Sequence, residues 1–483
     1  MPQTTRKDAL IVFLLLAFVF VYFYQDGGPN GNSRFSLIFA SVQERRLSID
    51  NYIYKTDTFT KDRSFFNGHY YSDKAVGPAV IGAALYAPVY LINRVFHLSN
   101  PSPRDLKVIF TFLIIGFPSA IAGSLMYILC LYLSGNRFRS FLTTLAISLG
   151  TMCFPFSVLF FSHQLTSSLL FSAFFMIFFL KESPRSRGYG YLFLIGLLLG
   201  WALISEYPAA VIILALVAYY ISVIWKKHPY RHWHAFLMPF LGGVIPILIQ
   251  LLNNKVSFDN FFSIGYSNLQ NQFFMSSMSQ GLAGISWPNL NVLYYTTFHP
   301  GMGLFWESPV LLLSFIGAGT MFFQRRYRGE AILAACIISF YPVILSGYFA
   351  WWGGWSFGPR HLIPMLPFFG LFLIFVPKQL KWPFLALTLV SIGQMLIVTA
   401  GMALTPEMWV TNIMSMGFFE FSNIYNVCLK QLLDGKFAQN LGQQFLHLNS
   451  WSSLIPLAVI FLGITLFFFW YGRNAPSEAA KGE

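Results

Sequence analysis

Charge is scarce in this 483-residue chain: Asp, Glu, Lys and Arg together make up 10% of it. Soluble domains carry about 25%. Hydrophobic residues make up 56% and aromatic residues 19%, and the mean hydropathy is +0.58. That balance excludes a soluble enzyme with one anchor and points to a polytopic membrane protein. Acids are scarcer than bases, 18 against 31, for a formal net charge of +13. The excess is not a nucleic-acid signature. The basic residues fall in short clusters between apolar runs, where topology-setting charges belong. Cysteine is rarer still. Of the four, Cys130, Cys153 and Cys336 lie inside apolar runs and Cys428 stands alone in a polar stretch. Neither a disulfide framework nor a thiolate metal site fits that spacing. The sequence also lacks a G-x-x-x-x-G-K-[ST] phosphate loop, an H-E-x-x-H zinc motif and a G-x-S-x-G elbow. No Asp, Glu, Lys or Arg sits deep in an apolar run. That weighs against an ion-coupled pump, which places ionisable groups at the bilayer midplane.

A hydrocarbon core of about 30 Å takes about 20 apolar residues to cross. Such runs lie at about 8–24, 106–134, 138–156, 160–180, 188–205, 207–225, 233–252, 308–324, 330–348, 361–377, 382–400 and 451–471. A further candidate, 77–96, would reverse the sidedness of everything after it. Positive charge decides between the two counts. With twelve spans and an inner N-terminus, the segments MPQTTRK, NRFR, KESPRSR, KKHPYR, QRRYR, KQLK and the C-terminal tail face inward. They hold 17 of the 31 Lys and Arg residues. With thirteen spans, five of these basic loops would face outward. The 77–96 helix, with Pro78 near its start and Pro88 inside it, is therefore expected to lie in the outer interface.

The first span follows Arg6 and Lys7 without a small-x-small cleavage site, and is expected to be retained. The expected fold is one all-α polytopic membrane domain over 1–483, with about twelve transmembrane helices. A large first outer loop, about 25–105, carries two interfacial helices. Further outer loops lie at about 253–307 and 401–450. Both termini are expected in the cytoplasm, with the chain in the bacterial inner membrane.

By this topology 13 of the 18 acids face outward, so chemistry is expected at the outer surface. In the first loop, Asn32-Ser33 is expected to cap a surface-lying helix that begins near Arg34. The runs LSIDNY and NGHYYSDKAVGPAV follow: an acidic turn, then a polar run opening the second interfacial helix. These pieces, Asn32-Ser33-Arg34-Phe35, Leu47-Ser48-Ile49-Asp50 and Tyr71-Ser72-Asp73-Lys74-Ala75, resemble the GT-C superfamily of membrane glycosyltransferases. The nearest groups are the protein O-mannosyltransferases and the lipid A aminoarabinose transferase. The resemblance is best over the first 100 residues. It departs at one place: the family's Asp-Glu pair, just before the matched Arg, falls on Gly31 and Asn32.

The resemblance implies a GT-C-like fold, a polyprenyl-phosphate-linked sugar as donor and an inverting transfer. The acceptor would be a lipid, a glycan or a protein. Such a reaction needs a carboxylate to take the hydroxyl proton and cations to stabilise the leaving phosphate. Asp50 and Asp73 are the candidate catalytic acids, with Asp26 and Glu206 behind them. Lys74 precedes a helix start, where free N–H groups already favour an anion. Arg360, the one cation of GYFAWWGGWSFGPR, offers a bidentate fork. These two are the candidate phosphate ligands. Arg34, His69, Tyr71, His163, Glu206 and Trp355 are the candidate substrate contacts.

Each has a plainer reading. Asp73-Lys74 also reads as an interface anchor, Asp50 as a turn acid, His69 and His163 as loop or helix-cap residues, Glu206 as a helix-start acid. The tryptophans before Arg360 also suit an aromatic belt. No cofactor is expected and no carboxylate cluster for a metal is evident. A membrane transporter, a lipid flippase or an inactive GT-C-like scaffold is the alternative.

Overall fold

The computed structural model describes residues 3–183, 188–227, 233–405 and 422–474. Glu407 and Glu420 with the rest of 406–421 in the expected 401–450 loop, the PRSR of KESPRSR, most of KKHPYR and the end of the tail lie outside the described residues. The fold is helical. Among the described residues two short antiparallel strand pairs interrupt it: Phe23–Tyr24 with Gln439–Asn440, and Arg63–Phe66 with His69–Ser72. Each apolar run expected to span carries helix. Among the described residues eight helices are long and apolar enough to cross a membrane, and Gly77–Val95 is one of them. Tyr189–Ser205, Pro309–Phe323 and Arg360–Leu373 are shorter apolar helices. The run expected at 138–156 is broken, because the helix Arg137–Ser148 ends and a separate turn, Cys153–Ser157, follows.

Length and composition alone do not separate Gly77–Val95 from a span, but contacts around it do. The first helix, α1 (Gln3–Tyr22), runs antiparallel to the long run Pro103–Ser134. At one end Ser124 Oγ donates to the Ala9 carbonyl (2.8 Å) and Tyr127 to Asp8 Oδ2 (3.2 Å). At the other, Lys107 Nζ lies 2.5 Å from Asp26 Oδ2. The chain thus leaves and rejoins the bundle at the same end. The segment between makes no net crossing. Its two helices, α2 (Gly28–Phe39) and α3 (Gly77–Val95), pack on each other at that end. Tyr86 of α3 meets Phe39 and Phe110, and Gly82 is held against Ile38 and Ile114.

The opposite end carries ion pairs between helices. Asp8 meets Arg137 (3.0 Å), Glu330 meets Lys181 (2.6 Å) and Glu182 meets Arg326 (2.8 Å). Elsewhere, backbone meets backbone along a glycine seam. A Cβ on Gly196 would stand 1.8 Å from the Pro239 carbonyl oxygen, and one on Gly200 2.6 Å from that of Gly243. Small residues allow that approach between Tyr189–Ser205 and Trp233–Phe258.

The first-loop helix departs from expectation. It begins at Gly28 with Pro29 in its first turn rather than near Arg34. Proline fixes a helical φ and lacks the N–H that a first turn leaves unused, so it starts the helix earlier. Asn32 and Ser33 are inside α2, and every residue from Gly31 to Phe39 is buried. Nor does α2 lie on a surface: the Phe35 ring packs against that of Phe160, tilted, with centroids 4.3 Å apart. Asn32 acts as a clamp, accepting from Lys107 Nζ (2.8 Å) and donating to the Phe59 carbonyl (2.9 Å).

Candidate active site

The site starts from a hairpin. Asn67 and Gly68 have φ of +47° and +84°. A two-residue turn with both centres left-handed favours Asn-Gly, because its twist matches that of the flanking strands. The turn fixes the register, with Phe66 opposite His69 and Arg63 opposite Ser72. One step further along, Asp62 comes level with Asp73. The loop around Gly265 closes the other side. Ser64 Oγ donates to the Gly265 carbonyl at 2.6 Å. A Cβ on Gly265 would stand 2.7 Å from the Asp73 Cα, so only glycine permits that approach.

Lys74 sits between the two acids. Its Nζ lies 2.9 Å from Asp62 Oδ2 and 3.1 Å from Asp73 Oδ2. The Lys74 side chain is 10% exposed, Asp73 5% and Asp62 33%. Burial pushes the Asp73 carboxyl up from the ordinary range more than Lys74 pulls it down. Burial also acts on Asp62, but Lys74, then Arg360 and Arg34, outweigh it and hold that carboxyl low. Burial works against the Lys74 ammonium, yet the two carboxylates raise its pKa overall. The net shifts thus run in opposite directions, up for the more buried acid and down for the more exposed one.

From α2, Ser33 Oγ reaches Ser72 Oγ at 2.8 Å and Asp73 Oδ1 at 3.4 Å. Arg34 donates to Ser162 Oγ at 2.5 Å and lies 3.9 Å from Glu206 Oε1. Ser162 donates to Glu206, and His163 Nδ1 is 3.2 Å from the same oxygen. Burial raises the Glu206 pKa, opposed by Arg34, Ser162, Arg360 and Lys74 in turn. His163 and His361 face each other with ring centroids 5.1 Å apart. The Arg360 guanidinium lies 4.9 Å over the Phe161 ring. Among the described residues it has no hydrogen bond or ion pair, and its Nε is buried without a partner, like Arg34 Nε and His361 Nε2.

Of the residues singled out in the sequence, the structure gathers Arg34, Asp73, Lys74, His163, Glu206 and Arg360. It places His69 at the turn end of the hairpin and Asp50 on the preceding segment beside it. Asp50 accepts from the Tyr70 amide at 2.7 Å and meets His69 Nδ1 at 2.9 Å, without touching Lys74. Burial raises its pKa, but the Tyr70 amide and His69 bring it below the ordinary value. Tyr71 packs against Phe258 at 5.4 Å. Trp355 is 56% exposed.

Asp62, Ser162 and His361 were not singled out. Asn67-Gly68 was the readable signal for Asp62, since a two-residue turn determines which residue faces Asp73. Ser162 and His361 arrive by packing between distant helices, which no local pattern records. Among the described residues no group of three His, Cys, Asp or Glu is arranged to hold a metal ion, and the Lys74 ammonium already lies between Asp62 and Asp73. A surface cleft between Arg104 and Gln439 shares no residue with the cluster.

No family model matches the chain, and no curated protein matches it. The fold is similar to the crystal structure of ArnT from Cupriavidus metallidurans bound to undecaprenyl phosphate. The TM-score is 0.48 at 13% identity, over 95% of this chain and 75% of that one. The apo structure of the same protein gives 0.45 at 11% identity, over 95% and 74%. At these TM-scores the likeness is one of architecture, and residue roles rest on the geometry above.

Proposed function

We propose that this protein is a membrane glycosyltransferase. It moves a sugar from a polyprenyl-phosphate donor to a lipid, glycan or protein acceptor at the outer face of the membrane, with its termini on the cytoplasmic side. The observation that carries the reading is an Arg360 guanidinium without a hydrogen-bond partner among the described residues, acting on the same carboxyls, Asp62 and Glu206, as a Lys74 already half-committed to acids. A buried donor without a partner is costly, and the Arg360 Nε is one. A phosphate would complete it.

An ammonium has three donors. Two of those on Lys74 face Asp62 and Asp73, which leaves one for a phosphate oxygen. Arg34, Lys74 and Arg360 all act on the carboxyls of Asp62 and Glu206, so the three cations converge. The leaving phosphate gains a charge as its bond to the sugar breaks. Cations fixed in advance in a partly dry site stabilise that charge most in the transition state. The polyprenyl chain would lie among the apolar helices that end at this cluster. Direct displacement at the anomeric carbon inverts its configuration. Chelation of divalent metals is expected to leave the rate unchanged, which an assay with EDTA checks.

The test is transfer of radiolabelled sugar from polyprenyl-phosphate donors in membranes carrying the wild type, Lys74→Ala or Arg360→Ala. Each variant should lose on the order of 100-fold or more in kcat. Unchanged transfer in both removes the phosphate assignment. Lipid movement across the membrane without any sugar transfer puts the flippase reading in its place.

A further inference from the structure

We propose that Asp62, the hairpin acid opposite Asp73, is the general base that takes the proton from the acceptor hydroxyl. This rests on the glycosyl-transfer reading. Three acids surround the proposed phosphate ligands, and two are poorly placed to meet an acceptor. Asp73 is 5% exposed. Its two oxygens are engaged by Lys74 and by Ser33. Glu206 is 13% exposed, and Arg34, Ser162 and His163 gather on its Oε1.

Asp62 differs. It is 33% exposed, and its side chain meets Lys74 through one oxygen, Oδ2. Its second oxygen, Oδ1, is not the one on Lys74 and is the one that would accept a hydroxyl proton. A phosphate held by the third donor of Lys74 would be one ammonium away from this carboxylate. The sugar carbon bonded to that phosphate then lies between the leaving oxygen and an acceptor hydroxyl on Asp62.

The step balances without another reactant. The acceptor O–H bond breaks and its proton goes to Asp62. The acceptor oxygen forms a bond to the anomeric carbon. The bond from that carbon to the phosphate oxygen breaks, and its electron pair leaves with the phosphate. The charged groups acting on Asp62 are Lys74 and Asp73 between the hairpin and α3, Arg34 of α2 and Arg360. The cations keep the carboxylate ionised, as a base must be before the reaction.

The test compares full-length wild type, Asp62→Asn, Asp62→Glu and Asp62→Ala in detergent. The readouts are kcat for transfer and binding of sugar-free polyprenyl phosphate. Asp62→Asn should lose about 10²- to 10⁴-fold in kcat while binding polyprenyl phosphate within a few-fold of wild type. Formate should restore part of the rate of Asp62→Ala and none of that of Lys74→Ala. Asp62→Glu, which keeps the charge at the hairpin, should keep the fold and more activity than Asp62→Asn. Transfer by Asp62→Asn near the wild-type rate overturns the assignment. So does a loss of phosphate binding that matches the loss of kcat, since Asp62 would then only position Lys74. If the wild type transfers no sugar from any polyprenyl-phosphate donor, the enzyme reading falls and Asp62's role falls with it.

Discussion

At the scale of single residues, Lys74 holds the site together. Lys74→Ala would leave Asp62 and Asp73 facing each other without their cation. The expected loss of stability is about 3 kcal/mol, the low end for a broken buried pair, because Asp62 keeps 33% exposure. Chemical denaturation of the purified variant measures it. The two acids also give a signed pH dependence. A carboxyl held low in the folded state contributes stability above its unfolded pKa and loses it as pH falls through the folded value. Asp62 behaves so. Asp73 is raised and works the other way: it costs stability at neutral pH, and mild acid relieves that cost. The stability of Asp73→Asn relative to wild type should therefore increase from mild acid to neutral pH. Melting temperatures across that range check the slope.

At the scale of elements, the hairpin and the glycine seam decide most. Gly68 has φ +84° and nothing within 4 Å of an added Cβ. Gly68→Val therefore meets no clash and costs only backbone conformation, about 1–2 kcal/mol. Its expected effect is a larger loss of transfer than of stability, because register sets the distance from Asp62 to Lys74. Deleting Gly68 shifts that register by a residue and turns alternate side chains to the other face, and should abolish transfer. In the seam, Gly196→Leu would drive a side chain into the Pro239 carbonyl. Reduced yield of monodisperse protein in size-exclusion chromatography is the expected outcome.

The same two elements show what the sequence made legible. The apolar runs foretold the helices, because a span must satisfy its own backbone in lipid. Asp73, Lys74 and Arg360 stood out because charge is rare in this chain. Asp62 did not, since acids in a long loop look alike until the Asn-Gly turn assigns them partners. The start of α2 was misplaced because Pro29 outweighed the Asn-Ser cap. The pairing of Arg34 with Ser162 and Glu206 joins segments far apart in sequence, and no spacing encodes it.

At the scale of the whole molecule, both ends of the bundle carry charge, but in different patterns. One end ties helices together through Asp8, Glu182 and Glu330 with their basic partners. The other gathers acids and cations around Lys74. Since Asp26 and Lys107 touch, position 99 belongs to the Lys74 end, and position 324 adjoins the ion pairs of the other. Single cysteines introduced as Ser99→Cys and Gln324→Cys, each at an exposed position, should react with a membrane-impermeant reagent from opposite sides. Labelling of both from one side would contradict the span assignment.

The hairpin also bears on how the protein is made. Asp62, Asp73 and Lys74 come together within one short stretch of chain, and hairpins close in microseconds. Arg360 leaves the ribosome nearly 300 residues later, on the order of tens of seconds at ordinary rates of synthesis. The acid–cation pair is thus expected to exist well before the site can hold a phosphate. A half-made chain would already contain its proton acceptor yet have little hold on its donor, so the order of synthesis itself would guard a lipid-linked sugar against being spent on water.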